Sequence, residues 1–299
     1  MPHACVNHSN ICPKWSRNTA PVLTVKSGSE ITFHLRHGYN NLITPISLPS
    51  DLRGLDTNQK VPIFGPVAVE GAIPGHVLRV DILELTTAVC GWTAILLNSG
   101  LLKDEFPGPR LRIWDLIEGI RIPTLPFLGV MGVVPSHNAE PDTVPPYDFG
   151  GNMDCKHLAE GSSLYLPVQA EGALFSCGDG HAAQGDGKIC GTAIGTPMKA
   201  RLRFTLEKNK PWIKSPHYLT SSGVTKSYLR GQEYAAIGVD GHLLEATKKG
   251  VRGAIAWLVG EKGLTREVLP GGRFEDCRSS GPAQLCRRMF DSLEHFCEC

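Results

Sequence analysis

The sequence predicts a mainly β fold with a single helix packed alongside, and three features predict it. Glycine (33) and proline (22) are plentiful and scattered through the 299 residues, which favours many short elements joined by tight turns over a helical bundle. Several apolar runs alternate with period two, the signature of half-buried strands. One long stretch, 242–262, repeats its apolar residues at helical spacing instead. Val251, Ala254, Ile255 and Leu258 share a face there, and Gly263 is placed to end the helix.

In chain order, residues 21–35 read as two strands around a Ser-Gly turn, with Val22, Thr24 and Lys26 alternating against Leu23 and Val25. Residues 36–62 form a long polar connection. Residues 65–85 are a second strand pair divided at Pro74-Gly75. Between 92 and 135 proline breaks the apolar pieces, and one or two strands are expected. The prolines of 136–150 fix a rigid loop. Residues 163–169 and 173–178 read as buried strands, and 192–208 as a further strand pair.

Composition sets limits on function. Hydrophobic residues are 41%, charged residues 20%, and the formal net charge is +1. No global field or block of like charge would attract nucleic acid. No stretch approaches the ~20 apolar residues needed to cross a bilayer. The opening MPHACVNHSN lacks an apolar signal run, so the chain is expected in the cytoplasm, with neither nucleic acid nor membrane as partner. The ten cysteines include no C-x-x-C pair and are expected to be free thiols.

The densest chemical signal is GGNMD (150–154) followed by GDGHAAQGDG (178–187). These segments carry Asp154, Asp179 and Asp186 with His181. Glycines let the backbone approach closely and adopt positive φ. Asp179 and His181 are two apart, so on a strand they project from one face, about 7 Å apart at Cβ. A carboxylate with an imidazole suits zinc; a carboxylate-rich cluster also suits calcium or magnesium. Singly, each Asp is equally well explained as a turn cap. It is the joint pattern that points to a site. His137 and Glu140 lie in the proline-rich loop, His157 reads as a surface residue, and Cys177 and Cys190 as structural thiols. No G-x-S-x-G and no phosphate-binding G-x-x-x-x-G-K-[ST] is present.

GVMGV (129–133), PPYDFGGNMDCKHLAEGSSLYLPV (145–168), GALFSCGDGHAAQGDGKICGTAI (172–194), GPVAVEGAIPG (65–75) and PVLTVKSG (21–28) strongly resemble the acetamidase/formamidase family, over roughly residues 12 to 268. The resemblance implies one domain over 1–268 with a sandwich-like β fold. It implies hydrolysis of short-chain amides to ammonia and the carboxylate, dependence on a divalent metal (zinc, sometimes with calcium), a small amide as substrate and assembly into a homo-oligomer. The expected metal ligands are Asp154, Asp179 and His181, with Asp186 next. Glu70, in VEGAIPG, is the expected general acid/base. Backbone N–H groups at Gly150 and Gly151 are the expected oxyanion donors.

Three positions depart from the family pattern. Cys12 stands where the family has His, in Cys12-Pro13-Lys14-Trp15. Lys188 stands where the family continues Gly-Asp-Gly with Glu. After Glu267 the sequence diverges, so 269–299 is expected to be a separate, divergent tail. A thiolate at Cys12 would still suit zinc. Lys188 changes the local charge by two units and would weaken cation binding unless its side chain turns to solvent. Three readings stay open: a small-amide hydrolase, a relative recruited to a larger biosynthetic substrate, and a vestigial binding protein.

Overall fold

The computed structural model describes residues 4–55, 61–117, 124–221 and 232–266; the expected tail 269–299 lies outside them. The strands are β1 (Ala4–Val6), β2 (Ile11–Cys12), β3 (Leu23–Val25), β4 (Glu30–Leu35), β5 (Ile63–Val69), β6 (Val77–Thr87), β7 (Cys90–Ile95), β8 (Arg110–Asp115) and β9 (Phe127–Gly132). There follow β10 (Pro146–Tyr147), β11 (Gly150–Asn152), β12 (Ser163–Pro167), β13 (Phe175–Ala183), β14 (Ile194–Gly195), β15 (Met198–Glu207), β16 (His217–Leu219) and β17 (Tyr234–Ala236). A single α-helix among the described residues, α1 (Leu243–Lys262), comes last.

Two sheets result. One runs β1-β4-β15-β6-β12-β16-β17; the other runs β10-β11-β9-β13-β14-β7-β8, with β5 beside β13 and carrying β2 and β3. Strands expected to pair with each other join the two sheets instead. β3 pairs with β5 whereas β4 pairs with β15, so the turn at Gly28 crosses from sheet to sheet. The connection at Pro74-Gly75 does the same between β5 and β6. Period two predicts which residues face the core but not which strand lies alongside.

β6 and β15 alternate buried with half-buried residues, as a sheet with one solvated face requires. β5 and β9 are buried along their whole length. The stretch 92–135, expected to hold one or two strands, holds most of β7 and all of β8 and β9; of these only β9 is a continuous buried run, which carries no period of two. Phe33, Phe175 and Phe204 meet between the sheets, the last two edge to face at 4.9 Å. Such pairs add about 1 kcal/mol beyond their buried area.

The helix matches the stretch read from its periodicity. Gly263 adopts φ +66° and its N–H bonds back to Val259, the left-handed cap that glycine tolerates at no steric cost. Its contact with the sheet runs through Trp257, stacked on Tyr234 at 4.1 Å. No helix among the described residues is long and apolar enough to cross a membrane.

Candidate metal centre

The site forms where β13 and β11 both lie against β9. β13 pairs with β9 antiparallel, Gly178 opposite Val130 and Gly180 opposite Leu128, which sets Asp179 across from Gly129. β11 pairs with the other edge of β9, Asn152 opposite Val130. Two residues later the Asp154 N–H donates to Gly129 O at 3.0 Å. Both carboxylates therefore arrive at one glycine from opposite sides. A Cβ on Gly129 would lie 2.9 Å from His181 Cε1 and 3.1 Å from both Asp154 Oδ1 and Asp179 Oδ2. Only glycine leaves room for the three groups to converge.

Asp154, Asp179 and His181 each offer a ligand atom, and all three lie within 4.8 Å of one another. His181 Nε2 donates toward Asp179 Oδ2 at 3.1 Å. Its Nδ1 faces Asp154 Oδ1 at 3.6 Å, too far for a hydrogen bond, and is buried without a partner. With Nε2 protonated, Nδ1 presents a lone pair, so two acceptors confront one another in a buried place. Asp154 Oδ1 accepts from Lys188 Nζ, whereas His181 Nδ1 has no partner, and a cation between them would satisfy the nitrogen. Two ligands at about 2.0–2.1 Å around a tetrahedral ion are separated by roughly 3.3 Å, close to the observed spacing. The residues fit a divalent ion.

The backbone is strained to this end. Asp154 (φ +48°), Asp179 (φ +55°) and Lys188 (φ +44°) all adopt left-handed conformations, each costing about 1–3 kcal/mol for a residue with a side chain. Phe127 holds the His181 ring edge to face at 5.1 Å. Gln184 Nε2 donates to the Asp154 carbonyl at 2.8 Å. Burial pushes the Asp179 carboxyl up, but the neighbouring His181 and then Lys188 outweigh it and hold the group well below the usual carboxylate range. Nearby, Trp92 Nε1 donates to His37 Nδ1 at 3.0 Å. Burial lowers the pKa of His37 and raises that of the Tyr39 phenol, and both groups feel the charge of Asp179.

Lys188 is a surprise of placement. Its Nζ donates to Asp154 Oδ1 at 2.9 Å and Oδ2 at 3.0 Å, so it neither turns to solvent nor leaves the cluster. It also forms part of the wall of a cavity of about 420 Å³, together with Ile95, Leu102, Phe106 and Ile189.

Several expected site residues are not brought here. Asp186 is exposed and pairs with Lys156 at 2.7 Å, because the loop turns outward between Gln184 and Lys188. Glu70 is exposed and follows Val69, the far end of β5, whereas Asp179 lies beyond the Gly178–Ile63 pair at the near end. Seven residues of strand separate them, roughly 20 Å, so Glu70 cannot act as acid or base at this cluster. Gly150 and Gly151 have a packing explanation: a Cβ would meet Met131 O at 2.4 Å or Pro145 O at 3.0 Å. They let β11 lie between β9 and β10 and deliver Asp154. Cys12 is buried outside the cluster, donates to Gly65 O at 3.1 Å, and its thiol is pushed up to about 11 by burial. His157 stacks on Tyr218, and burial raises Cys177 well above the ordinary thiol range.

Gly129 and the reach of Lys188 are what sequence reasoning missed. The GVMGV segment held the first signal, but only the register of β9 against β13 shows which glycine lies beneath the carboxylates.

The chain is 28% identical to a formamidase of Methylophilus methylotrophus, covering 76% of this chain and 72% of that one. It is 28% identical to an acetamidase of Mycolicibacterium smegmatis, covering 60% of this chain and 61% of that one. Among solved structures, a predicted acetamidase/formamidase from Thermoanaerobacter tengcongensis superposes with a TM-score of 0.79 at 27% identity, covering 89% of this chain and 86% of that one. An acetamidase from Bacillus halodurans gives 0.75 at 25% identity, covering 89% and 90%. The sequence profile of the Acetamidase/Formamidase family matches residues 3–142 and 138–267, and the chain belongs to that family.

Proposed function

We propose that this protein hydrolyses short linear amides, formamide or acetamide, with water to the carboxylate and ammonia, at a divalent cation held by Asp154, Asp179 and His181. The names of the relatives support the reaction. The observation that carries the site is the buried, unpartnered His181 Nδ1 facing a carboxylate oxygen at 3.6 Å. The imidazole in so small a donor set favours zinc over calcium, which prefers six or more oxygens.

Bound there, the ion would polarise the amide carbonyl and lower the pKa of water toward ~7. The chain's own residues orient and shield. Asp179 and Asp154 flank the His181 ring at Nε2 and Nδ1 and so fix its orientation between the two carboxylates. Phe127 locks the ring plane, and Gln184 pins the strained backbone at Asp154. The buried strands β9 and β13 keep bulk water from the floor of the site. All six described cysteines are free, which supports a reducing, cytoplasmic setting. A homo-oligomer is part of the same proposal, and light scattering on the purified protein measures it.

Ammonia release from formamide and acetamide tests the function. Activity is expected in zinc-loaded protein, with loss on chelation and recovery on adding zinc back. Undiminished release from protein shown by elemental analysis to be metal-free would overturn the metal's role. No release from the loaded protein would overturn the substrate class.

A further inference from the structure

We infer that the ammonium of Lys188 is a built-in competitor for the metal, so that a divalent cation binds this site only as Lys188 leaves Asp154. The inference rests on the metal centre proposed above and concerns what sets its affinity.

Lys188 Nζ reaches both oxygens of Asp154, at 2.9 and 3.0 Å. Asp154 is one of three groups able to ligate, and two of its acceptor directions are taken up by an ammonium. A dication and an ammonium on one carboxylate repel at short range, in a place too shielded for salt to screen them fully. The side chains of Lys188 and Asp154 are only 17% and 25% exposed. Lysine also lends its charge to Asp179, whose carboxyl it helps to hold ionised. Its positive charge therefore acts on both carboxylates that a metal would use.

The contact is aimed by the backbone. Lys188 adopts φ +44° in a loop where Gly191 N–H closes onto its carbonyl at 2.7 Å. A lysine in that conformation costs free energy, and the strain persists only where the surroundings enforce it. An exit is also present. Lys188 borders the 420 Å³ cavity, whose wall includes the exposed Asp186 two residues earlier. The flexible stem lets the ammonium swing from Asp154 toward the exposed Asp186. With lysine docked, the Asp154 carboxylate is paired with an ammonium; with lysine displaced, its oxygens are open to a cation.

Calorimetric titration of the full chain with Zn²⁺ alone tests this, on wild type, Lys188→Met, Lys188→Arg and His181→Ala. Lys188→Met is expected to bind zinc at least about tenfold more tightly, and to melt lower than wild type without metal yet gain more from zinc. Lys188→Arg keeps a cation on Asp154 and is expected to stay near wild type. Equal or weaker binding by Lys188→Met, with binding abolished in His181→Ala, overturns the competition and leaves the metal centre standing. Binding unaffected by His181→Ala, or absent from every variant, overturns the metal centre itself.

Discussion

Two histidines are equally hidden in this molecule and have opposite characters. His181 is 2% exposed and His217 is fully buried, and each keeps one ring nitrogen without a hydrogen-bond partner. His217 lies on β16, donates or accepts at Nδ1 with the Tyr234 hydroxyl at 2.8 Å, and turns Nε2 toward Gly253 of the helix. Burial alone pushes its pKa down to about 4. Among the described residues no carboxylate forms an ion pair with it, its pKa shift comes from burial alone, and none near it in sequence has a left-handed backbone. His181 instead stands between two carboxylates on strained backbone, over a glycine that admits no side chain. A buried imidazole with an idle nitrogen is therefore not a site. What sets His181 apart is the second acceptor held against its idle nitrogen.

Breaking the His181 side of this comparison should give the largest effect. His181→Ala is expected to lower zinc affinity and amide hydrolysis by about a thousandfold, beyond the 10–100-fold typical of groups that only support a ligand. Elemental analysis and ammonia release measure the two.

The His217 side predicts pH-dependent stability. The unfolded chain protonates this histidine near pH 6.5, while the folded chain resists until about pH 4. Its contribution is whole above pH 6.5, falls as pH drops toward 4, and is constant below that. The shift corresponds to roughly 3 kcal/mol. Urea unfolding at pH 7 and pH 4.5 should show wild type losing more stability than His217→Gln by an amount of that order. Parallel losses in both proteins would mean that His217 is not held neutral.

A smaller effect is expected from Gly129→Ala. Its methyl would meet all three cluster residues near 3 Å, costing about 1–3 kcal/mol in strain and weakening zinc roughly tenfold by spreading the ligands. The equivalent change at Gly71, where nothing lies within 4 Å but φ is positive, should cost stability and leave zinc affinity untouched. Smallest of all, Asp186→Asn and Glu70→Gln should keep activity within about twofold, since neither side chain approaches the cluster.

Much of this contrast is visible in the residues themselves. Asp179 and His181 sit two apart in a glycine-dense strand, and GGNMD supplies the third group; local spacing sufficed. The helix was legible because its period and its capping glycine agree. The partners of β3, β5 and β14 were not legible, because alternation fixes a strand's face and not its neighbour. Glu70 misled for the same reason: VEGAIPG is distinctive locally, but β5 runs antiparallel to β13 and carries it to the far end. Lys188 could be flagged from sequence as a reversed charge. That it bonds directly to Asp154 depends on a loop conformation no short pattern encodes.

The central claim is that three side chains converge on one divalent ion. Crystals grown with Zn²⁺ and measured across the zinc absorption edge locate it directly. The account predicts an anomalous peak bonded to Asp154, Asp179 and His181, with Lys188 Nζ moved off Asp154. A peak elsewhere, or none at this cluster in zinc-saturated crystals, would contradict it.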